Sequence, residues 1–172
     1  MCSSDLSQVT ISEPSAVIAQ ATGTPALCYG TPTGTANANA AGGTAPYVFS
    51  WAAGLGNTSS INNLIAGNYL ITVTDANGCT ATSSATITQP TPINVNTLMQ
   101  PVSCHNGANG MITASASGGT PAYAYNWFPS GGSNPQAGGL ITGNYSVTVT
   151  DINGCTTSQT TLVTEQIGRA HV

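Results

Sequence analysis

The residues of this 172-residue chain able to do chemistry are five cysteines, two histidines and five carboxylates, beside a single Lys or Arg. An enzyme needs a nucleophile, a base and a charge stabiliser in one cleft, and this inventory supplies no such set, so we assign no catalytic residue and no cofactor. Asp75 and Asp151 each open a turn, in "DANGC" and "DINGC". An Asp there ordinarily holds nearby backbone amides; its functional alternative is a calcium ligand, with Asn77 and Asn153 as partners, although calcium takes six to eight oxygens and favours several carboxylates. Zinc wants clustered Cys or His. No such cluster occurs, and His105 beside Cys104 is matched by Tyr29 beside Cys28, so no metal site is assigned.

These residues fall in register. "GNYLITVTDANGC" (67–79) returns as "GNYSVTVTDINGC" (143–155), and Cys28/Cys104, Gly43/Gly119, Trp51/Trp127, Tyr69/Tyr145, Asp75/Asp151 and Cys79/Cys155 all share one offset of 76. Internal repeats decide the architecture, so we read two copies, residues 16–90 and 91–166. The same offset pairs Pro14 with Pro90 and Ile11 with Ile87, which makes residues 7–15 the last strand of a preceding copy. Met1–Leu6 and Ile167–Val172 match neither copy and read as translated sequencing adapters; they take Cys2, Arg169 and His171 with them. Four cysteines remain, and in a tandem array each module must close itself. We therefore expect disulfides Cys28–Cys79 and Cys104–Cys155, each closing a loop that would contribute about 4 kcal/mol on a chain-entropy basis.

What positions these residues is β-structure. Tyr69, Ile71 and Val73 alternate with Leu70, Thr72 and Thr74, as do Tyr145, Val147 and Val149 with Ser146, Thr148 and Thr150. That period of two gives each strand one buried and one wet face. Tyr47-Phe49-Trp51 and Tyr123-Tyr125-Trp127 alternate likewise, and Trp51, Tyr69, Trp127 and Tyr145 are assigned to the core, with sugar stacking as the rival use of the tryptophans. Phe128 points opposite to Trp127, and its counterpart is Ala52, so it is a candidate exposed contact. Asn77-Gly78 and Asn153-Gly154 read as hairpin turns with both residues at positive φ. The Leu64-x-x-Gly67-x-Tyr69 spacing, repeated at Leu140, suits a tyrosine corner. About seven short strands per copy predict an all-β chain of tandem immunoglobulin-like antiparallel sandwiches.

Composition narrows the partners. Only 3% of residues are charged and the formal charge is -4, which leaves nothing to neutralise phosphates, so no nucleic acid is expected. No apolar run reaches the roughly 20 residues of a membrane span. Without lysine in either copy, a Lys-Asn isopeptide crosslink is impossible, which leaves disulfides as the covalent staple. Disulfides imply an oxidising compartment and hence an extracellular location.

The motifs "GGT-x-P-Y" or "GGTP-x-Y", an aromatic strand ending in Trp, then "L-x-x-G-N-Y-x-x-TVTD-x-NGC" and "Q-P" resemble the SprB-type repeat of Bacteroidetes surface proteins. The resemblance covers nearly all of residues 16–165. It implies a large exported cell-surface protein with many such modules, in the best-known case a gliding-motility adhesin, with type IX secretion and a C-terminal sorting domain. Expected partners are neighbouring repeats and, for an adhesin, surface polysaccharide or an abiotic surface; the alternative is an inert stalk carrying another domain, such as a secreted hydrolase.

Overall fold

A computed structural model describes residues 13–103 and 107–166 of the chain. Both proposed adapter segments, most of the preceding strand, Cys104 and His105 lie outside the described residues. Glu13 and Pro14, the described end of that strand, lie in irregular backbone.

The chain separates into two compact units. The first holds residues 13–25 and Gly34–Thr88; the second holds Ala26–Thr33 and residues 89–166. In the first unit β1 (Ile18–Thr24), β2 (Gly34–Ala41) and β4 (Ser60–Leu64) form one three-stranded antiparallel sheet. β3 (Val48–Trp51), β5 (Gly67–Thr74) and β6 (Thr80–Ile87) form the other, with a 3₁₀ turn at Ala52–Gly54 between β3 and β4. Alternation sets the faces: Ile71 and Val73 of β5 are fully buried and pair with Trp51 and Phe49 of β3, while Leu70 faces out. Their inward faces meet Ala36, Ala38, Ile61, Leu64 and Ile87 in one core. Where the sheets meet at their edges, the Ala21 amide donates to Ser83 Oγ at 3.1 Å.

The second unit repeats this with β7 (Asn94–Gln100), β8 (Gly110–Ser117) and β10 (Gln136–Leu140) in one sheet and β9 (Tyr123–Phe128), β11 (Gly143–Asp151) and β12 (Thr156–Val163) in the other. Its core gathers Ile112, Trp127, Leu140, Tyr145, Val147, Val149 and Val163. The equivalent strand edges, β7 and β12, are linked by a different hydrogen bond, between Thr97 Oγ1 and Thr161 Oγ1 at 2.7 Å. Each unit is thus an all-β two-sheet sandwich, with six strands among the described residues against the about seven expected.

Candidate functional site

The four aromatic residues assigned to the core sit as follows. Trp51 and Trp127 are 2% and 5% exposed, and each indole N–H donates to a backbone carbonyl seven residues on, Thr58 and Asn134, at 2.9 Å. A buried indole needs such a partner, and with its ring packed inside neither tryptophan offers a face to a sugar. Tyr145 is buried and Tyr69 half-buried; their hydroxyls donate to the carbonyls of Ile141 (3.3 Å) and Ile65 (2.9 Å), four residues upstream. Phe128 is 72% exposed at the end of β9.

The chemistry-bearing residues concentrate on the β5–β6 and β11–β12 hairpins. Asp75 Oδ1 accepts the amides of Asn77 (2.9 Å) and Cys79 (2.8 Å), and Oδ2 accepts that of Thr44 (2.9 Å). Asp151 does the same with Asn153 (3.0 Å), Cys155 (2.9 Å) and Thr120 (2.8 Å). Both carboxylates are nearly buried. The Thr44 amide is the largest influence on Asp75 and, with those of Cys79 and Asn77, holds it below the usual carboxylate range against the opposing pull of desolvation. At Asp151 desolvation is the largest influence and acts upward, but the amides of Thr120, Cys155 and Asn153 together outweigh it and the net direction is again down. Three N–H groups aimed at one carboxylate make a donor set suited to an anion already in place, and they turn positive poles toward any approaching cation. The arrangement favours the structural use of these aspartates over the calcium use.

The turn itself differs from the expected one. Gly78 and Gly154 lie at φ +84° and +82°, but Asn77 and Asn153 stay out of the left-handed region. The Gly78 amide donates to the Asp75 carbonyl (3.0 Å) and the Asp75 amide to the Cys79 carbonyl (2.9 Å), a three-residue loop of type I turn plus left-handed glycine. The carboxylate caps that loop from inside, so the asparagine is freed to project its side chain: Asn77 Nδ2 donates to Thr44 Oγ1 at 2.9 Å and Asn153 Nδ2 to Thr120 Oγ1 at 3.0 Å. The threonine partners were missed from sequence, although "GGT" recurs at the common offset. Gly43 and Gly119 (φ +59° and +58°) make the approach possible: a Cβ on either would lie 2.7 or 2.8 Å from the aspartate Oδ2.

The disulfide pairing has to be corrected. Cys28 is bonded to Cys155, 127 positions away, with Cα atoms 5.6 Å apart; Cys79 carries a free, exposed thiol, and Cys104 lies outside the described residues. The reason is the length of a strand. Thr24 and Gly34, which flank the Cys28 loop, lie at the Ile87 end of β6: a Cβ on Gly34 would meet Ile87 Cγ2 and the Thr24 carbonyl. Cys79 precedes the opposite end of that eight-residue strand, about 26 Å away at ~3.3 Å per residue. Four residues from Thr24 to Cys28 reach at most about 14 Å, too little for a bridge within the copy. In the second unit the Ala26–Thr33 loop is seated against the β11–β12 hairpin, where Asn153 Nδ2 also donates to the Leu27 carbonyl (3.4 Å). A cleft of about 410 Å³ beside the bridge is lined by residues including Tyr29, Pro92, Ile93 and Gly119.

The SprB repeat family matches residues 21–56 and 97–135. The chain carries two SprB repeats. The two matches begin 76 residues apart, which is the offset of the sequence. SprB repeats are a cell-surface type of module, and the disulfide accords with that setting. No curated protein matches. Solved structures of similar fold include a Dscam structure (15% identity, TM-score 0.36, covering 90% of this chain and 47% of that one) and the C-terminal 282-residue fragment of intimin bound to the translocated intimin receptor domain (12%, 0.41, 90% and 64%). Titin domains I67–I69 are similar at 12% identity with TM-score 0.44, covering 90% and 66%. This SprB-repeat chain thus spans less than two thirds of the Dscam and intimin chains. Among the described residues no helix is long and apolar enough to cross a membrane.

Proposed function

We propose that the chain is a pair of non-catalytic modules from a secreted bacterial surface adhesin of the gliding-motility type, exported by type IX secretion in a Bacteroidetes cell. The observation that carries this reading is the Cys28–Cys155 bridge joining one sequence copy to the next. It uses the chain's chemistry for cohesion, as a module working under pull at a surface requires. The aspartates, the second place to look for chemistry, are engaged by backbone amides in both copies. The outward faces are threonine, serine and asparagine with isolated apolar residues such as Phe128, Leu98 and Leu162, surfaces suited to many weak contacts with polysaccharide that gain by multivalency.

Binding of the chain to a panel of bacterial and host polysaccharides, displayed singly and in clusters, tests this. Adhesive modules bind at least one polysaccharide, and clustering raises the apparent affinity 10²-fold or more, on the order expected of avidity. No binding in either display would leave the modules as a stalk carrying some other domain.

A further inference from the structure

The two hairpins are built alike, yet among the described residues only the second receives a loop. In the second unit the Asp151–Cys155 hairpin receives the loop Ala26–Thr33: Cys155 bonds Cys28, and Asn153 Nδ2 reaches the Leu27 carbonyl. In the first unit each fixed contact of that receptor recurs within 0.1 Å: the three amides on the aspartate, the asparagine on the threonine hydroxyl, and the Gly43 amide on the Ser15 carbonyl (2.7 Å) against Gly119 on Thr91 (2.8 Å). What differs is that, among the described residues, no loop is seated on it. Cys79 is a free, exposed thiol, and among the described residues no contact from Asn77 to a loop carbonyl corresponds to that of Asn153.

The flanks of the guest loop recur as well among the described residues. In the first copy the Leu27 amide donates to Thr33 Oγ1 (2.8 Å), closing the loop that carries Cys28. In the second copy the Ser103 amide donates to Asn109 Oδ1 (3.0 Å), the same two positions shifted by 76. The contact to the host runs through a backbone carbonyl and a cysteine, so it tolerates the change from Leu27 to Ser103. By sequence each copy therefore has one cysteine at the guest position, Cys28 or Cys104, and one host hairpin.

We propose that the Asp75–Cys79 hairpin is the docking site for the cysteine loop of another copy of the repeat, and that Cys79 forms a disulfide with the cysteine at the position of Cys28. Each copy then donates a loop in one direction along the array and accepts one from the other, so the array is a ladder of bridges between successive copies. This goes beyond the proposed adhesive role and stands or falls independently of any polysaccharide.

The test equilibrates the full chain in a glutathione redox buffer with a synthetic peptide of residues 24–34, which carries Cys28. The Cys79 thiolate attacks the peptide sulfur of the peptide–glutathione mixed disulfide; the new S–S bond forms as the old one breaks, and glutathione leaves as its thiolate. No further oxidant is needed. Adducts at Cys79 are counted by peptide mapping. The expected result is about ten-fold more adduct than with a scrambled peptide, the scale of one net hydrogen bond in an equilibrium. Asn77→Ala should remove most of that preference and leave the Cys79–glutathione adduct unchanged, which shows that the thiol and the fold are intact. Equal loading by the two peptides, or a preference that survives Asn77→Ala, overturns the proposal.

Discussion

Asp75 and Asp151 show how one side chain can organise a turn. Each native carboxyl titrates below its unfolded counterpart, whose ordinary value is near 3.9. Above that value both states are ionised and the stabilisation is complete. As pH falls through it the unfolded carboxyls protonate first, so stability drains away until the native carboxyls protonate too. Thermal melts should therefore hold steady from pH 7 to 5 and drop below about pH 4. The double variant Asp75→Asn, Asp151→Asn should flatten that drop, and an unchanged acid profile would remove the aspartates from the account. Tyr145 is a second residue-scale case: its hydroxyl bonds the Ile141 carbonyl at 3.3 Å. Tyr145→Phe should cost about 1 kcal/mol in denaturant unfolding, the worth of one hydrogen bond.

At the scale of elements, the strands were legible because burial imposes a period of two, and Ile71, Val73, Val147 and Val149 carry it with no exception. The hairpins were legible too, from Asn-Gly. Their loop type was not, because the Asp carboxylate reshapes the turn through amides that sequence spacing does not reveal. The partner of Cys28 was illegible for a different reason. Equal spacing within each copy pointed to Cys79, but spacing along the chain does not say which end of a sandwich a loop occupies. The close approach of Gly119 to Asp151 belongs to this scale. Gly119→Ala puts a methyl 2.6 Å from Ile93 Cγ1 and 2.8 Å from the carboxylate, at φ +58°. It should destabilise the second unit by at least about 1–3 kcal/mol, measurable by urea unfolding, because both strain and collision act.

For the whole molecule the bridge matters more than any pocket. It encloses a span of 127 positions and, on chain entropy alone, restricts the unfolded chain by about 5 kcal/mol. Reducing agent should therefore lower the melting temperature of the Ala26–Thr33 and 89–166 unit, and Cys155→Ser should match the reduced protein. Equal melts with and without reductant would show that the bridge adds no stability. The sandwich architecture could be foreseen from patterning because every strand answers to local burial. The connection between copies could not, since it depends on which elements of different copies become neighbours.

The same bridge fixes the route of a mechanical load. A pull on the two termini of the unfolded chain is carried from Cys28 to Cys155 through sulfur, so the 127 positions from one to the other cannot be extended. Stretched in a single-molecule trap, the oxidised chain should withhold some 43 nm of contour, about 3.4 Å for each bypassed residue, and release it only when a reductant is added.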